Sequence, residues 1–117
     1  MFYIKKATVQ DITRTFVLNK EAVDVFFSLN LLLRNDEAYV SIIMLPSRKQ
    51  EKVRIVLKQD PRIFIDRFRL EPGDLVLFNK QGVAEYTVSF IKRDDSRFAF
   101  LSSILNRFNY AIIDRID

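Results

Sequence analysis

The sequence contains no cysteine and no histidine. These absences exclude disulfide bonds, zinc sites built on thiolates or imidazoles, cysteine nucleophiles and every catalytic triad that needs an imidazole base. Only two glycines occur, Gly73 and Gly82, so neither a GxGxxG loop nor a GxxxxGK[ST] phosphate loop can be formed. We therefore expect a protein that is not an enzyme and that holds neither a cofactor nor a metal ion.

Long hydrophobic runs are also missing. The longest apolar stretches, residues 42–45 and 111–113, are far shorter than a bilayer requires, and the first six residues lack the apolar centre of a signal peptide. The absence of cysteine agrees with a reducing compartment. These features predict a soluble protein of the cytoplasm that has no membrane partner.

Apolar residues, in contrast, are plentiful. They make up 49% of the 117 residues, and phenylalanine alone contributes 11 of them. This is enough material for one packed interior and too little chain for two independent ones. Because no repeat and no Pro/Gly/Ser-rich linker interrupts the sequence, we expect residues 1–117 to form a single domain.

Positive charge is concentrated in one short segment. The whole chain carries 19 basic and 15 acidic residues, a net charge of +4. Residues 48–58 alone hold five basic side chains and one acidic side chain, which is the same excess of four. An edge strand kept soluble by exposed cations would give this pattern, and so would a surface that binds nucleic acid.

Short strand-like segments recur along the chain. They alternate apolar and polar residues or are rich in β-branched and aromatic types. The predicted strands are residues 2–5, 15–18, 39–45, 53–58, 75–78, 83–91, 98–101 and 110–113. Two short helices are predicted at residues 20–29 and 61–68, with Asn19 and Asp60 as their N-caps. The pattern indicates a mainly β (α+β) fold, a seven- or eight-stranded open β-pseudobarrel with two short helices.

A tight turn is predicted at residues 71–74, just before the strand at residues 75–78. Pro72 presets one φ angle there, and Gly73 permits a positive one. We expect substitution of Gly73 to affect folding alone, because the turn lies outside the two segments that carry the candidate binding residues.

Three motifs together resemble a known family. Residues 8–12 fit T-x-x-D-[IV], and residues 14–23 fit R-x-[FL]-V-[LI]-x-K-x-x-[AV]. Residues 64–78 fit F-[VI]-x-x-x-x-L-x-x-G-D-x-[VL]-x-F. Across about residues 2–90 the chain resembles the B3-type DNA-binding pseudobarrel of plant transcription factors and of the target-binding domains of some bacterial restriction endonucleases.

The chain departs from the plant form of that family in three places. Pro61 and Arg62 stand where plant members have tryptophan, and the basic residues 50–54 replace a polar loop. The tail, residues 97–117, extends beyond the plant form. This tail favours a bacterial relative of the restriction-enzyme type, with a nuclease domain or subunit as a further partner.

The resemblance implies two arms that reach into the major groove of double-stranded DNA: arm 1, residues 5–14, and arm 2, residues 47–54. Arginine suits guanine, glutamine suits adenine, and a carboxylate suits cytosine, whereas lysine suits phosphates. The base-reading candidates are Gln10, Asp11, Arg14, Arg48, Gln50 and Glu51. The phosphate candidates are Lys5, Lys6, Lys20, Lys49, Lys52 and Lys58. Thr8, Thr13, Ser47 and Arg54 complete the predicted DNA-binding set.

Other interpretations stay open beside this one. The barrel could be a structural or protein-interaction module whose basic face meets an acidic partner, or a single-stranded nucleic-acid binder that stacks bases on aromatic rings. We assign six phenylalanines to the core and leave the three tyrosines Tyr3, Tyr39 and Tyr86 unassigned. The six are Phe16, Phe26, Phe27, Phe64, Phe68 and Phe78. We interpret the Asp94–Asp95 pair as a solvated turn.

Overall fold

A computed structural model describes residues 1–8, 15–27, 36–57, 61–64, 70–105 and 108–115. Within these ranges lie eight strands, one π-helical segment and one α-helix. The strands are β1 (Phe2–Lys6), β2 (Thr15–Val17), β3 (Glu37–Met44), β4 (Lys49–Val56), β5 (Arg62–Phe64), β6 (Leu75–Gly82), β7 (Glu85–Ile91) and β8 (Tyr110–Ile113). The π-helical segment is Ala22–Phe26, and the α-helix α1 is Phe98–Leu105. None of the described helices is long and apolar enough to cross a membrane.

All eight strands belong to one curled sheet in the order β2-β5-β4-β3-β7-β6-β1-β8. Every neighbouring pair is antiparallel except β3 and β7, which run parallel. The curl brings β1 close to the edge strand β2. The Lys5 ammonium group of β1 donates there to the Val17 carbonyl oxygen of β2 at 2.6 Å. The architecture, with eight strands in the described residues, confirms the predicted mainly β pseudobarrel of seven or eight strands.

The core has two parts, one on each face of the sheet. Aromatic and β-branched side chains that alternate along the strands fill the interior, among them Tyr3, Phe16, Phe78 and Tyr86. The π-helical segment closes one end of this interior, where the Phe26 and Phe27 rings meet edge-to-face at 4.9 Å. On the outer face, α1 covers a smaller cluster of Ile4, Leu75, Ile91, Leu101 and Leu105.

The helix predicted at residues 61–68 is wrong over its first half, and residues 65–68 lie outside the described ranges. Arg62–Phe64 is a strand that pairs with both β2 and β4. Its central residue, Ile63, lies opposite Phe16 on one side and Ile55 on the other, and all three are fully buried. Tertiary pairing on both edges therefore outweighs the helix-start signal of Asp60 and Pro61.

The strand predicted at residues 98–101 is also wrong, because this segment begins α1. The Asp95 side chain accepts from the Arg97 backbone N–H at 2.8 Å, and the Asp95 carbonyl accepts from the Phe98 N–H at 3.0 Å. These bonds cap the free N–H groups of a first helical turn. Leu101 and Leu105, one turn apart, are both buried against the sheet.

Asn19, the predicted N-cap of the first helix, contacts that helix through its backbone and not through its side chain. The Asn19 carbonyl accepts from the Val23 N–H at 3.2 Å, but the Asn19 side chain accepts from the Tyr3 hydroxyl at 2.7 Å. Asn19 therefore ties the helix start to β1 and does not cap it with its side chain.

Candidate nucleic-acid interface

Strand directions decide which connections share an end of the pseudobarrel. Starting from β1 and following the pairings, β1, β7, β3 and β5 run one way and β6, β4, β2 and β8 the other. The connections β1–β2, β3–β4, β5–β6 and β7–α1 therefore lie at one end, which we call the arm end. The connections β2–β3, β4–β5 and β6–β7 lie at the other, which we call the helix end. Both arms predicted from the sequence start from the arm end.

Arm 1 is described only as far as Thr8. Lys6 is exposed at the end of β1, and Thr8 is half-buried. Lys5 is 3% exposed, donates to the Val17 carbonyl and lies 4.6 Å from the centre of the Phe16 ring. The ammonium group is thus turned into the protein, which argues against the predicted phosphate contact. Gln10, Asp11, Thr13 and Arg14 lie outside the described residues.

Two further lysines were predicted to contact phosphates near the arms. Lys20 is exposed and is separated from the π-helical segment by Glu21, whose carboxylate accepts from the hydroxyl of Tyr110, the first residue of β8, at 2.8 Å. The contact of Lys20 with a phosphate stays a prediction. Lys58 lies outside the described residues.

Arm 2 belongs to a regular β-hairpin formed by β3 and β4. β3 and β4 pair without interruption from Glu37 opposite Val56 to Met44 opposite Lys49. Residues 49–54 of arm 2 thus belong to β4, which begins four residues before the strand predicted at residues 53–58 and has a partner on β3 at each position. Only residues 45–48, which we call the hairpin tip, form a turn.

The alternation of β4 divides the arm 2 candidates between two faces. Val53 and Ile55 point into the core, so Lys49 and Glu51 lie on the same face, further towards the hairpin tip. Their side chains form an ion pair of 3.6 Å and stay partly exposed. Gln50, Lys52 and Arg54 lie on the outer face.

Neighbours on β3 and β5 hold the three outer-face side chains. The Gln50 amide donates to the Ser41 hydroxyl at 2.9 Å. The Lys52 ammonium lies 5.6 Å from the centre of the Tyr39 ring. The Arg54 guanidinium lies 4.4 Å from the Phe64 ring and 3.7 Å from the Glu37 carboxylate. The outer face therefore presents cations above aromatic rings.

Tyrosine and phenylalanine positions resolve the aromatic question left by the sequence. Tyr3 and Tyr86 are in the core, where the Tyr86 hydroxyl donates to the Phe27 carbonyl at 3.1 Å and burial raises the pKa of Tyr86 to about 12. Tyr39 is 55% exposed. Phe64, predicted to be a core residue, is only half-buried, because its strand directs it to the outer face beneath Arg54.

The hairpin tip presents Arg48 to solvent. Arg48 has a φ of +62°, and its backbone N–H donates to the Met44 carbonyl at 2.7 Å. Ser47 uses its hydroxyl within the turn, donating to the Met44 carbonyl at 3.3 Å and accepting from the Lys49 N–H at 3.4 Å. A non-glycine residue in this region of φ is strained, and such strain concentrates at functional sites. The guanidinium of Arg48 is exposed at the outermost point of arm 2.

The loop of residues 92–97 brings further charged residues to the arm end. A groove of about 350 Å³ separates it from the hairpin tip and is lined by Leu45, Pro46, Ser89, Phe90, Asp95 and Arg97. Two hydrogen bonds from the Arg97 guanidinium to the Asp95 carboxylate, at 2.9 and 3.1 Å, hold the pKa of Asp95 down at about 2. The sequence marked these residues only as a turn, because no local pattern shows that β7 ends beside β3.

The pseudobarrel has a close structural counterpart. The fold is similar to that of the N-terminal domain of Helicobacter pylori LlaJI.R1. The TM-score is 0.84 over 97% of this chain and 98% of that chain, with 20% sequence identity. No protein-family model matches the sequence, and no curated protein matches it. At this identity the similarity establishes a shared fold.

Proposed function

We propose that this chain is a B3-like domain that binds double-stranded DNA sequence-specifically through its two arms. It performs no chemistry itself, and it serves as the target-recognition part of a bacterial restriction endonuclease whose nuclease lies elsewhere. One observation carries the proposal: two segments distant in sequence, one singled out by its motif and the other by its charge, start from the same end of the pseudobarrel.

The side chains at the arm end suit a DNA groove. Arg48 at the hairpin tip can donate two hydrogen bonds to guanine, and Glu51 can accept from the cytosine amino group. Lys6 and Lys49 are exposed cations near the two arms and suit phosphates. The counterpart in fold comes from a restriction-system protein, which supports the same assignment.

Selection from a random pool of duplexes, followed by competition, tests the proposal. Unlabelled copies of the recovered duplex should displace the labelled duplex from the protein more effectively than a scrambled duplex or either single strand does. Affinity should also fall steeply with added salt, because each neutralised phosphate releases counterions. No enrichment of any sequence, together with equal competition by scrambled duplex, would contradict the proposal. Absence of all nucleic-acid binding would favour a protein-interaction module.

The outer face favours one second candidate, binding of single-stranded nucleic acid. Tyr39 is exposed with Lys52 beside its ring, and Phe64 lies beneath Arg54. Aromatic rings flanked by cations can stack bases while the cations follow the backbone. In the competition experiment, stronger displacement by single strands than by the duplex would select this candidate.

A further inference from the structure

We infer that the turn of residues 71–74, held by the Asp74–Lys92 ion pair, anchors arm 1 and fixes its position relative to arm 2. The inference rests on the proposed function and adds positioning residues for DNA recognition that do not themselves touch DNA. It also differs from the expectation, argued from the sequence, that substitution of Gly73 affects folding alone.

Two backbone hydrogen bonds join the turn to the first residues of arm 1. The Ala7 N–H donates to the Asp74 carbonyl at 2.7 Å, and the Gly73 N–H donates to the Ala7 carbonyl at 2.9 Å. Ala7 is the first residue beyond β1 and is buried. The direction in which arm 1 leaves the barrel is therefore set by the turn as well as by β1.

Asp74 fixes the shape of that turn. Its side chain is 2% exposed, and its carboxylate accepts from the Glu71 N–H at 2.9 Å and from the Lys92 ammonium at 2.6 Å. Gly73 has a φ of +98°, which any other residue adopts only with strain. A buried carboxylate that lost its cation would keep the Glu71 N–H but not the opposite charge, so loss of Lys92 should destabilise the turn.

The same turn is joined to the strand that supports arm 2. Lys92 directly follows β7, and the Arg93 guanidinium donates to the Pro72 carbonyl at 2.9 Å. β7 pairs in parallel with β3 as far as Met44, and the Leu45 N–H at the start of the hairpin tip donates to the Val88 carbonyl at 2.9 Å. Hydrogen bonds and the backbone of β7 thus connect Ala7 in arm 1 with Leu45, the first residue of the hairpin tip, through the turn.

Such a connection matters for base reading more than for phosphate contacts. Two arms that read one groove must keep a fixed separation, because hydrogen bonds to base edges weaken steeply as angle and distance depart from the optimum. Contacts between flexible lysines and phosphates tolerate small displacements. Loss of the anchor should therefore reduce sequence preference and leave the affinity for unrelated duplex largely intact.

Lys92→Met tests the anchor, with Lys80→Met as the matched control. Lys80 is likewise half-buried on the sheet and donates to a backbone carbonyl, that of Phe26 at 3.1 Å, but it lies at the helix end. The probes are the duplex recovered by selection and a scrambled duplex of equal length. We expect Lys92→Met to weaken binding of the selected duplex about tenfold and of the scrambled duplex less than about twofold. Lys80→Met should leave the ratio of the two affinities, selected over scrambled duplex, as it is in the unmodified chain. Lys92→Arg should bring that ratio back to the value of the unmodified chain.

Hydrogen exchange provides a readout that needs no DNA. The Ala7 amide should exchange faster in Lys92→Met than in Lys80→Met, because the turn that receives its hydrogen bond loosens. Should Lys92→Met fail to fold, Arg93→Met loosens the same turn from its exposed side. Unchanged Ala7 exchange would overturn the anchor, and faster exchange with an intact duplex preference would overturn its role in recognition. If the unmodified chain selects no sequence, the proposed function fails, and Ala7 exchange still decides whether the anchor exists.

Discussion

The ammonium group of Lys5 donates a 2.6 Å hydrogen bond to the carbonyl oxygen of Val17, across the gap where the pseudobarrel is not closed by a strand ladder. Among the strands of the described residues, β2 pairs with β5 and forms one edge of the sheet. A buried carbonyl without a donor is costly. Lys5 thus uses its charge inside the protein, where the Phe16 ring 4.6 Å away adds a cation–π contact.

Lys5→Met should therefore act on folding and not on DNA binding. Methionine keeps the volume of the side chain but leaves the Val17 carbonyl without this donor. We expect the free energy of unfolding to fall by about 1–3 kcal/mol in a urea titration. The slope of log affinity against log salt should not change, because no phosphate contact is lost.

Lys6→Met is the adjacent control for this prediction. Lys6 is exposed, so its removal should change the free energy of unfolding by less than about 0.5 kcal/mol. If it contacts a phosphate, the salt slope should decrease by about one. A decreased salt slope for Lys5→Met with unchanged stability would mean that Lys5 leaves the barrel to meet DNA.

Arg48→Gly should separate stability from binding at the hairpin tip. Holding an L-residue at a φ of +62° costs about 1–2 kcal/mol, and the extra unfolded-state entropy of glycine offsets about 0.4–1 kcal/mol of the relief. The variant should therefore be more stable by up to about 1.6 kcal/mol. Loss of a bidentate guanine contact should weaken binding of the selected duplex by about 1–3 kcal/mol and relax the preference at one base pair.

Ala84→Gly tests whether the strain argument holds without any binding role. Ala84 has a φ of +58° in the β6–β7 turn at the helix end. Glycine should stabilise the protein there to a similar degree while the duplex affinity stays the same. A loss of duplex affinity in Ala84→Gly equal to that in Arg48→Gly would place DNA at both ends and contradict the assignment of the arm end.

Local patterns were sufficient to predict most of the strands. β8 coincides with its predicted residues, and the strand after the Gly73 turn begins at Leu75 as expected, because alternation and turn chemistry act over a few residues. The positive φ of Gly73 is also confirmed. These features depend only on neighbours in the sequence.

The errors occurred where distant partners decide the outcome. Residues 62–64 carry a good helix-start signal, yet Ile63 pairs with two strands that the sequence could not place beside it. Residues 98–101 are too short to distinguish the two periodicities, and the deciding cap is Asp95, which we interpreted only as part of a turn.

The candidate site shows the same limit. The charged hairpin was found from its composition, but whether a lysine faces solvent or the interior depends on strand register. Lys5 and Lys6 are neighbours of identical type, and one is buried while the other is exposed. The contact between the Gly73 turn and Ala7 spans 66 positions of the chain and has no local signature.

Tyr39→Ala decides between the duplex and single-strand candidates. Tyr39 lies on the outer face, so duplex binding through the arms should be unaffected by its loss. If the outer face stacks bases, single-strand affinity should fall by about 1–3 kcal/mol. Val83→Ala, which removes an even more exposed apolar side chain at the helix end, is the control for nonspecific surface effects.

The Asp95–Arg97 pair gives a prediction about pH. Hydrogen bonds from the Arg97 side chain and backbone lower the pKa of Asp95 from its ordinary value of 3.8 to about 2. The ionised carboxylate is therefore favoured in the folded state. Its stabilising effect is fully present above pH 3.8 and is lost as the pH falls through about 2.

Arg97→Ala should remove the side-chain part of this effect. The Asp95 carboxyl carbon, followed by NMR, should titrate closer to 3.8 in the variant than in the unmodified chain. The difference in melting temperature between the two proteins should be largest at neutral pH and should shrink as both approach pH 2. Arg97→Lys, which keeps the charge but cannot donate two parallel bonds, should give an intermediate titration. Identical titration of Asp95 in all three proteins would mean that the ion pair does not persist in solution and that another group caps α1.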